Sequence, residues 1–324
     1  MKISVIVPCY NAASYIEKAI RSFANQTFHD FEVIFVDDVS TDNTVEVVHA
    51  LIEKYKIRGW LLKNEKNTGP SLARRLGISN SRAEYCAFCD SDDWYDKTYL
   101  SEMYNATLSG EIDIVFCNYR LVYSDGKTID KDMLGDVSVY SDKKSVMTVG
   151  VDGFCGGLFR RELFDNMTFP EIRNGEDMAL IPVLIGKAKK YGFVKKPIYN
   201  YYQRVGSLSI TSSDKVIQSL QDSFEYTRKS LDREKYAKEI EYIGVRNVLY
   251  GAILALFKSR YSRTAFFDIL RGFEIYYPNW YMNLYLKRLP IYKRIFLFCV
   301  KRKWILFFGT DCSNSYKDCI IRKY

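Results

Sequence analysis

The residues whose type and spacing could do chemistry begin with Asp90-Ser91-Asp92, an acidic cluster that follows an apolar run. Two carboxylates two residues apart can hold a hard divalent cation. Mg²⁺ or Mn²⁺ takes one or two carboxylates and fills its remaining positions with water and substrate phosphates. The pattern alone is weak evidence, because Asp-x-Asp turns are common and Asp93 can simply cap a following helix. The elements around the cluster therefore have to be identified first.

Strand and helix patterns alternate through the first hundred residues. Near-continuous apolar runs predict buried strands, at residues 3–7, 31–36, 60–62 and 85–89. Apolar residues at helical spacing predict helices between them, over residues 16–23, 45–52 and 72–78. This alternation predicts an α/β fold with a doubly wound, mostly parallel sheet of the Rossmann-like type, covered on both faces. Ligands in such sheets bind beyond the carboxyl ends of the strands, where residues 8–11, 37–38 and 90–93 fall.

The rest of the chain is less regular and then becomes helical. Residues 112–122 predict one or two strands, residues 130–144 a polar loop, and residues 178–185 a helix. From Val216 onward the pattern is helical. It includes an apolar stretch at 248–257 that is too short to span a bilayer, which needs about 20 residues. At roughly 150 residues per domain, a chain of 324 residues predicts about two domains. We place them at 1–212, a catalytic domain, and 213–324, a helical region.

Composition excludes several classes of protein. Hydrophobic residues make up 48% and charged residues 27% of the chain, a globular mixture that argues against disorder and collagen-like repeats. The eight cysteines do not indicate disulfides, since no signal peptide precedes them and several lie in apolar strand patterns. Cys86 and Cys89 have zinc-knuckle spacing without a second pair. We therefore expect a reducing, cytoplasmic compartment and no zinc site.

The basic residues concentrate near the end of the chain. The net charge is +8, from 47 basic and 39 acidic residues, and residues 275–310 contain no acidic residue. The seven basic residues there are Lys287, Arg288, Lys293, Arg294, Lys301, Arg302 and Lys303. Aromatic residues are interleaved with them, namely Trp280, Tyr285, Phe296, Phe298, Trp304, Phe307 and Phe308. This mixture favours a helix lying on an anionic membrane surface. The alternatives are a helical domain that packs its aromatics inside and RNA binding, for which no recognition motif is present.

Ordered motifs give the acidic cluster its context. They lie at residues 5–11 (VIVPCYN), 36–44 (VDDVSTDNT), 67–69 (NTG), 73–74 (AR), 84–93 (EYCAFCDSDD), 175–177 (GED) and 204–209 (RVGSLS). In this order they resemble the family 2 glycosyltransferases of the GT-A fold, of the bacterial surface-polysaccharide type. The resemblance covers about residues 1 to 210. Three positions depart from the common pattern: Val39 and Ala83 stand where glycine is usual, and Arg75 where asparagine is frequent.

The resemblance implies a binding site for a nucleotide-diphosphate sugar. Pro8 and Tyr10 would line the nucleobase pocket, and Asp37 would accept a hydrogen bond from the base, with Asp38 close by. An Asp-rich turn bonded to its own backbone is the structural alternative. Gly69 would serve a backbone turn.

The same resemblance assigns the diphosphate and the metal. Asp90 would contact the ribose and share with Asp92 a Mg²⁺ or Mn²⁺ ion bridged to the diphosphate. Arg74 and Arg204 would neutralise phosphate oxygens as the leaving group gains charge. The alternative for both arginines is a solvated surface position.

In the family, the aspartate of the Glu176-Asp177 pair is the general base that deprotonates the acceptor hydroxyl. Inversion needs a base opposite the leaving nucleotide, so that the acceptor oxygen attacks in line, and the transition state is oxocarbenium-like. A carboxylate favoured by the helix dipole is the structural alternative, which fits Glu176 better than Asp177.

The expected function is therefore an inverting, metal-dependent glycosyltransferase. It would move a sugar from a UDP-sugar to a glycan or lipid-linked acceptor in cell-surface polysaccharide synthesis. The expected partners include an anionic membrane surface and no nucleic acid, with the enzyme cytoplasmic and peripheral on the inner face of the membrane. One alternative is a metal-dependent nucleotidyltransferase, which would need a glycine-rich phosphate loop that residues 7–11 lack. The other is an inactive membrane-surface binding protein, which the loss of Asp90, Asp92 or Asp177 would favour.

Overall fold

The computed structural model describes residues 1–133, 135, 142–148, 153–203, 214–259 and 262–304. The chain divides into two compact units between residues 210 and 211. Each unit is described by itself below.

The first half of the amino-terminal unit follows the predicted alternation. Its strands are β1 (Ile3–Cys9), β2 (Phe31–Asp37), β3 (Gly59–Lys63) and β4 (Tyr85–Phe88). Its helices are α1 (Ile16–Ala24), α2 (Thr44–Tyr55) and α3 (Pro70–Asn80). The apolar runs of β1, β2 and β4 are almost fully buried, as in a sheet that is covered on both faces, whereas β3 at the edge is only half-buried.

The second half of this unit contains shorter elements. Its strands are β5 (Trp94–Tyr95), β6 (Ile114–Tyr123), β7 (Thr128–Lys131), β8 (Gly157–Arg160) and β9 (Tyr191–Gln203). Its helices are α4 (Tyr99–Asn105), α5 (Lys143–Met147) and α6 (Glu176–Lys187), with a 3-10 turn at Arg161–Phe164. The segment 112–122, predicted as one or two strands, thus contains the single strand β6.

Two elements, β7 and α5, extend into the segment predicted as a polar loop, residues 130–144. The loop prediction is wrong there because β7 is an exposed strand at the edge of the sheet and has no apolar pattern. It pairs with β6 through a turn in which Gly126 has a φ of 84°. Residues 134 and 136–141 of that segment lie outside the described residues.

The strands form a mixed sheet in the order β3-β2-β1-β4-β8-β6-β9-β5, with β7 on β6. Strands β3, β2, β1 and β4 are parallel, and β6 is parallel to β9, whereas β8, β7 and β5 run antiparallel to their neighbours. This architecture confirms the predicted α/β fold. The register pairs Cys9 with Asp37, so the carboxyl ends of the central strands meet at one edge.

The carboxy-terminal unit is helical, as predicted. It contains α7 (Asp214–Ser230), α8 (Ala237–Gly244), a π-helical segment (Val245–Ala252), α9 (Ile253–Lys258), α10 (Arg263–Tyr276) and α11 (Ile291–Lys301). Two 3-10 turns, Trp280–Met282 and Leu284–Arg288, join the last two helices.

The segments α8, π and α9 form one helix of 22 residues, Ala237–Lys258. Its length and composition would allow it to cross a membrane, and it is longer than the apolar stretch at 248–257 that it contains. However, 78% of its most apolar window is buried inside the protein. Such burial is typical of a core helix, because the apolar side chains already pack against other parts of the chain.

Candidate active site

The carboxyl ends of β1 and β2 carry the first group of predicted site residues. Asp38 is buried, and its carboxylate accepts hydrogen bonds from Gly69 N (2.7 Å), Thr68 N (2.9 Å) and Asn64 Nδ2 (2.6 Å). These bonds hold the loop that enters α3. Asp38 therefore has a structural task that its place beside Asp37 did not indicate.

Asp37 is bonded much more weakly. It is also buried and lies beside Cys9 in the sheet, but its carboxylate receives 3.3 Å contacts from the backbone N of Ser40. Tyr10 follows β1 and is 49% exposed, an unusual position for a large aromatic side chain. Pro8, still within β1, is half-buried opposite Val36. Asp37, Tyr10 and Pro8 thus all lie at the carboxyl ends of the neighbouring strands β1 and β2.

The turn after Asp38 is strained. Val39 has a φ of 65°, which a β-branched residue rarely adopts and which costs on the order of 1–3 kcal/mol. Glycine adopts this conformation without that cost. Neighbouring bonds hold the turn: the Asn11 side-chain oxygen accepts from Thr41 N (2.8 Å), and Asn11 N donates to Ser40 Oγ (3.0 Å).

Arg74 lies between two carboxylates. It is only 4% exposed, its Nη2 donates to Asp90 Oδ1 at 2.6 Å, and its Nη1 donates to Glu176. Burial alone would lower the pKa of Arg74, but Asp90 and Glu176 raise it above the ordinary value, so the guanidinium stays charged. Its Nε is buried and has no hydrogen-bond partner among the described residues. The solvated surface position considered for Arg74 is therefore wrong.

The acidic cluster after β4 divides into one structural and two more accessible carboxylates. Asp93 is 1% exposed and accepts hydrogen bonds from Tyr199 OH (2.5 Å) and Tyr202 N (2.8 Å). Burial raises the pKa of Asp93 well above its ordinary value. By contrast, the side chain of Asp90 is 39% exposed, and Asp92 is half-buried and lines a cleft with Lys18 and other residues.

The structure also brings Asp90, Asp93 and Cys155 together, with ligand atoms within 4.8 Å of one another. Hard cations prefer carboxylate oxygens to sulfur, and burial raises the pKa of the Cys155 thiol. Asp93 is already engaged by two donors. Asp90 keeps one oxygen that accepts no hydrogen bond from the described residues. By ligand type, the carboxylates of Asp90 and Asp92 suit Mg²⁺ or Mn²⁺ better than a group that includes a thiol. The structure, however, brings Asp90 together with Asp93 and Cys155, and Asp92 is not in that group.

The Glu176-Asp177 pair begins α6, after Gly175 in the left-handed conformation (φ 84°). Glu176 points inward: it is 5% exposed and bonded to Arg74, and burial raises its pKa although Arg74 opposes the shift. Asp177 is half-buried, and its Oδ1 accepts a hydrogen bond from Met178 N at 3.1 Å. A carbon added to Gly153 would lie 3.7 Å from Asp177 Oδ2. Two adjacent acids thus have different surroundings.

Sequence reasoning missed the residues that support this site. Tyr199 joins the end of β4 to β9, because its hydroxyl donates to Asp93 and accepts from Asp90 N at 3.3 Å. No local signal marked it, since it lies more than a hundred residues from its partners. The bridge from Arg74 to Glu176 was also missed, although both residues had been singled out separately. Arg204 lies outside the described residues.

The mixed α/β sheet, with acidic side chains at the ends of its strands, is the architecture of the GT-A fold. The chain belongs to glycosyl transferase family 2, which it matches over residues 4–168. It is 32% identical over 177 residues to the putative teichuronic acid biosynthesis glycosyltransferase TuaG of Bacillus subtilis, which is 55% of this chain and 69% of TuaG. Some curated relatives are much longer: the chain spans 33% of the glycosyltransferase GlyA of Streptococcus pneumoniae and 32% of the poly(ribitol-phosphate) beta-glucosyltransferase of Bacillus spizizenii.

Solved structures show the same fold. TarS 1-349 of S. aureus, solved with UDP, has a TM-score of 0.71 at 20% identity, covering 94% of this chain and 88% of that one. The mannosyltransferase PcManGT of Pyrobaculum calidifontis, solved with GDP-Man and Mn²⁺, has a TM-score of 0.58 at 18% identity, covering 93% and 86%. At these identities the likeness concerns the fold alone, and it confirms the predicted GT-A architecture.

Proposed function

We propose that the protein transfers a sugar from a UDP-sugar to a hydroxyl of a glycan or lipid-linked acceptor, with inversion at the anomeric carbon. The proposal goes beyond family membership in naming the nucleotide, the acceptor class, the stereochemistry and the groups responsible. One observation carries it: the Glu176-Asp177 pair is divided, with Glu176 buried against Arg74 and Asp177 half-exposed at the first turn of α6.

Asp177 is the proposed general base. A base must reach the acceptor hydroxyl on the side of the sugar opposite the leaving nucleotide, and a half-exposed carboxylate can do so. The proton passes from the acceptor hydroxyl to Asp177 as the acceptor oxygen attacks the anomeric carbon and the bond to the diphosphate breaks. Glu176 does not serve this role, because it is buried and engaged by Arg74.

The proposed donor site lies at the ends of β1 and β2. A uracil ring would pack on Pro8 and Tyr10, and its N–H would donate to Asp37, whose present contacts from Ser40 are long. The UDP found with TarS, a protein of the same fold, supports this choice of nucleotide. The GDP-Man found with PcManGT is the competing possibility.

Asp90 and Asp92 would hold Mg²⁺ or Mn²⁺, and the Mn²⁺ in PcManGT supports the expectation. When bound, such an ion supplies positive charge to the departing diphosphate. Arg74 fixes the Asp90 carboxylate through the 2.6 Å bond, so it acts as a positioning residue. Its buried charge, close to Asp90, also adds to the positive field at the diphosphate. The Arg204 contribution to phosphate binding stays a prediction.

The proposed class of acceptor rests on the similarity to a curated relative. The relative TuaG carries teichuronic acid biosynthesis in its name, and we propose a surface polysaccharide or its lipid-linked precursor for this chain. An acceptor hydroxyl would approach Asp177 from the side of Gly153, where the lack of a side chain leaves room beside the carboxylate.

A donor panel tests the proposal. The purified full chain is incubated with UDP-glucose, UDP-galactose, UDP-N-acetylglucosamine and GDP-mannose, with and without a short glycoside acceptor, and nucleotide release is measured. We expect turnover of one UDP-sugar, loss of turnover in chelator, and recovery with Mn²⁺ or Mg²⁺. The anomeric configuration of the product, read by NMR, should be opposite to that of the donor.

Each arm can refute a separate part of the proposal. Preference for GDP-mannose would contradict the proposed uracil pocket. Full activity in chelator would contradict the proposed metal site. A product with retained configuration would remove the in-line role of Asp177. The variant Glu171→Gln, in an exposed position of the loop before α6, is a control that should behave like the parent protein.

A further inference from the structure

Helix α11 has apolar side chains on two opposite sides. Leu297 and Val300 are buried, and they face the rest of the carboxy-terminal unit. Ile291, Ile295 and Phe298 recur at i, i+4 and i+7, so they lie on one side of the helix, and they are 65%, 57% and 48% exposed. A helix that only packs on a core has polar residues at such positions. The exposed stripe needs another explanation.

The stripe belongs to a larger exposed apolar region. Most large apolar side chains that are exposed in the described part of the chain fall between residues 275 and 304. Besides the stripe they are Ile275, Tyr276, Tyr281, Met282, Leu284, Tyr292 and Trp304. Two other aromatic residues of the segment, Trp280 and Tyr285, are buried. The alternative interpretation, a helical domain that packs its aromatic residues inside, therefore holds for only some of them. Contiguous exposed apolar surface marks an interaction site. We call residues 275–304 with these exposed side chains the apolar-basic surface.

The charges of this surface have one sign. Residues 275–304 contain seven basic residues and no acidic one. Lys287, Arg294 and Arg302 are exposed, and Arg302 lies one turn beyond Phe298 on the same side of α11. Lys301 is held at 3.5 Å from Glu274 and 4.1 Å from the Tyr281 ring. This contact places the end of α11 beside the turn that carries Met282.

We propose that the apolar-basic surface docks onto an anionic lipid bilayer. Aliphatic and aromatic side chains would enter the interface, while lysine and arginine contact the anionic headgroups. A second copy of the chain fits poorly, because a symmetric contact would bring two identical positive surfaces together. Nucleic acid also fits poorly, since exposed Ile275, Ile291 and Ile295 offer neither hydrogen bonds nor stacking to bases.

Binding of the full chain to vesicles tests the proposal. Sedimentation is measured with phosphatidylcholine vesicles and with phosphatidylcholine mixed with phosphatidylglycerol, at low and high salt. We expect strong binding to the anionic vesicles, weak binding to the neutral ones, and a loss of binding as salt rises. Each basic residue near an anionic surface is worth about fivefold in affinity. The triple variant Lys287→Gln, Arg294→Gln, Arg302→Gln should therefore bind about a hundredfold more weakly.

A second variant tests the apolar stripe. Ile291→Ser with Ile295→Ser removes two exposed side chains and should weaken binding at least about tenfold, with thermal unfolding unchanged. The matched controls are Arg82→Gln with Lys189→Gln for charge and Leu108→Asn for an exposed apolar residue. All three positions are exposed in the amino-terminal unit. These controls should bind like the parent protein.

Three results would overturn the proposal. Equal binding to neutral and anionic vesicles would remove the electrostatic part, and parent-like binding of both surface variants would place the membrane contact elsewhere. Self-association in sedimentation velocity that the Ile291→Ser, Ile295→Ser variant abolishes would identify a second copy as the occupant. Donor hydrolysis, measured in the same samples, should not change, so a failure of docking is distinct from a failure of catalysis.

Discussion

An arginine lies between two carboxylates at each end of strand β4. The two groups differ in how many of their polar atoms have a hydrogen-bond partner. At the amino end, Arg160 donates to Asp113 (2.9 Å), Tyr85 OH (2.9 Å) and the Gly110 carbonyl, and lies 3.5 Å from Glu84. Every nitrogen of its guanidinium has a partner. This group joins β4, β6 and β8, and its guanidinium nitrogens are already engaged, so the group has a structural role.

At the carboxyl end, Arg74 binds Asp90 and Glu176, but its Nε has no partner among the described residues. One oxygen of Asp90 is likewise unused within the described part of the chain. Each group consists of one arginine and two carboxylates. At the amino end of β4 every guanidinium nitrogen has a partner, whereas at the carboxyl end one nitrogen and one carboxylate oxygen have none among the described residues. Buried polar atoms normally have a hydrogen-bond partner, so the buried Nε of Arg74, next to the accessible Asp90, marks this group as the place where we expect substrate.

The largest effect should come from Asp177. Replacing it with asparagine keeps size but removes the basic oxygen, so transfer should fall by roughly 10²–10⁴-fold, the usual worth of general-base catalysis. UDP and metal binding should survive, because neither is assigned to Asp177. Initial rates with acceptor and calorimetric titration of UDP measure the two quantities. Transfer within a few-fold of the parent rate would exclude Asp177 as the base.

The second prediction separates the two arginines. Arg74→Gln should lower the free energy of unfolding by about 3–5 kcal/mol, because it leaves Glu176 buried without a counter-charge, and should also reduce transfer. Arg160→Gln, at a more exposed site, should cost about 2 kcal/mol and leave kcat/KM unchanged. Urea unfolding and steady-state kinetics give both readouts.

A double variant sharpens this comparison. Arg74→Gln with Glu176→Gln removes both buried charges and should recover part of the lost stability without restoring transfer. If Arg160→Gln reduced transfer as much as Arg74→Gln, the distinction between the two groups would be wrong.

The third prediction concerns the metal. Asp92→Asn should weaken Mn²⁺ binding in the presence of UDP by at least about 10–100-fold, the range known for losing a supporting metal contact. Asp93→Asn should leave Mn²⁺ affinity unchanged, because Asp93 is engaged by Tyr199 and Tyr202. Titration calorimetry of both variants measures this. The reverse result would assign the ion to the Asp90, Asp93 and Cys155 group.

The sequence was sufficient for the parallel half of the fold, because β1, β2 and β4 are buried and form apolar runs in the sequence. It failed at β7, which is exposed and has no apolar pattern. At the site, the sequence singled out the acidic residues but did not indicate how their surroundings differ. Whether Glu176 or Asp177 faces inward depends on Arg74, 102 residues away, and Asp93 depends on Tyr199. Such distant pairings have no local signature.

The smallest expected effect lies at the amino end of β4 and depends on pH. Burial tends to raise the pKa of Asp113, but hydrogen bonds from Lys189 N (2.6 Å), Lys190 N and Arg160 outweigh it, so the pKa lies below its ordinary value. The unfolded state then binds the proton more tightly. Asp113 therefore contributes stability above about pH 3.9, the unfolded value, and loses it as pH falls through the lower folded pKa.

Asp113→Asn should accordingly reduce the free energy of unfolding by about 1–2 kcal/mol at neutral pH, and the gap to the parent should close in acid. Urea unfolding at several pH values measures it. Glu111→Gln is the matched control: its carboxylate is 66% exposed and paired with Lys190 at 3.1 Å, so it should change stability by less than about 1 kcal/mol. A gap for Asp113→Asn that stayed constant with pH would mean that the residue acts through packing. The comparison of the two ends of β4 would then rest on shape and not on charge.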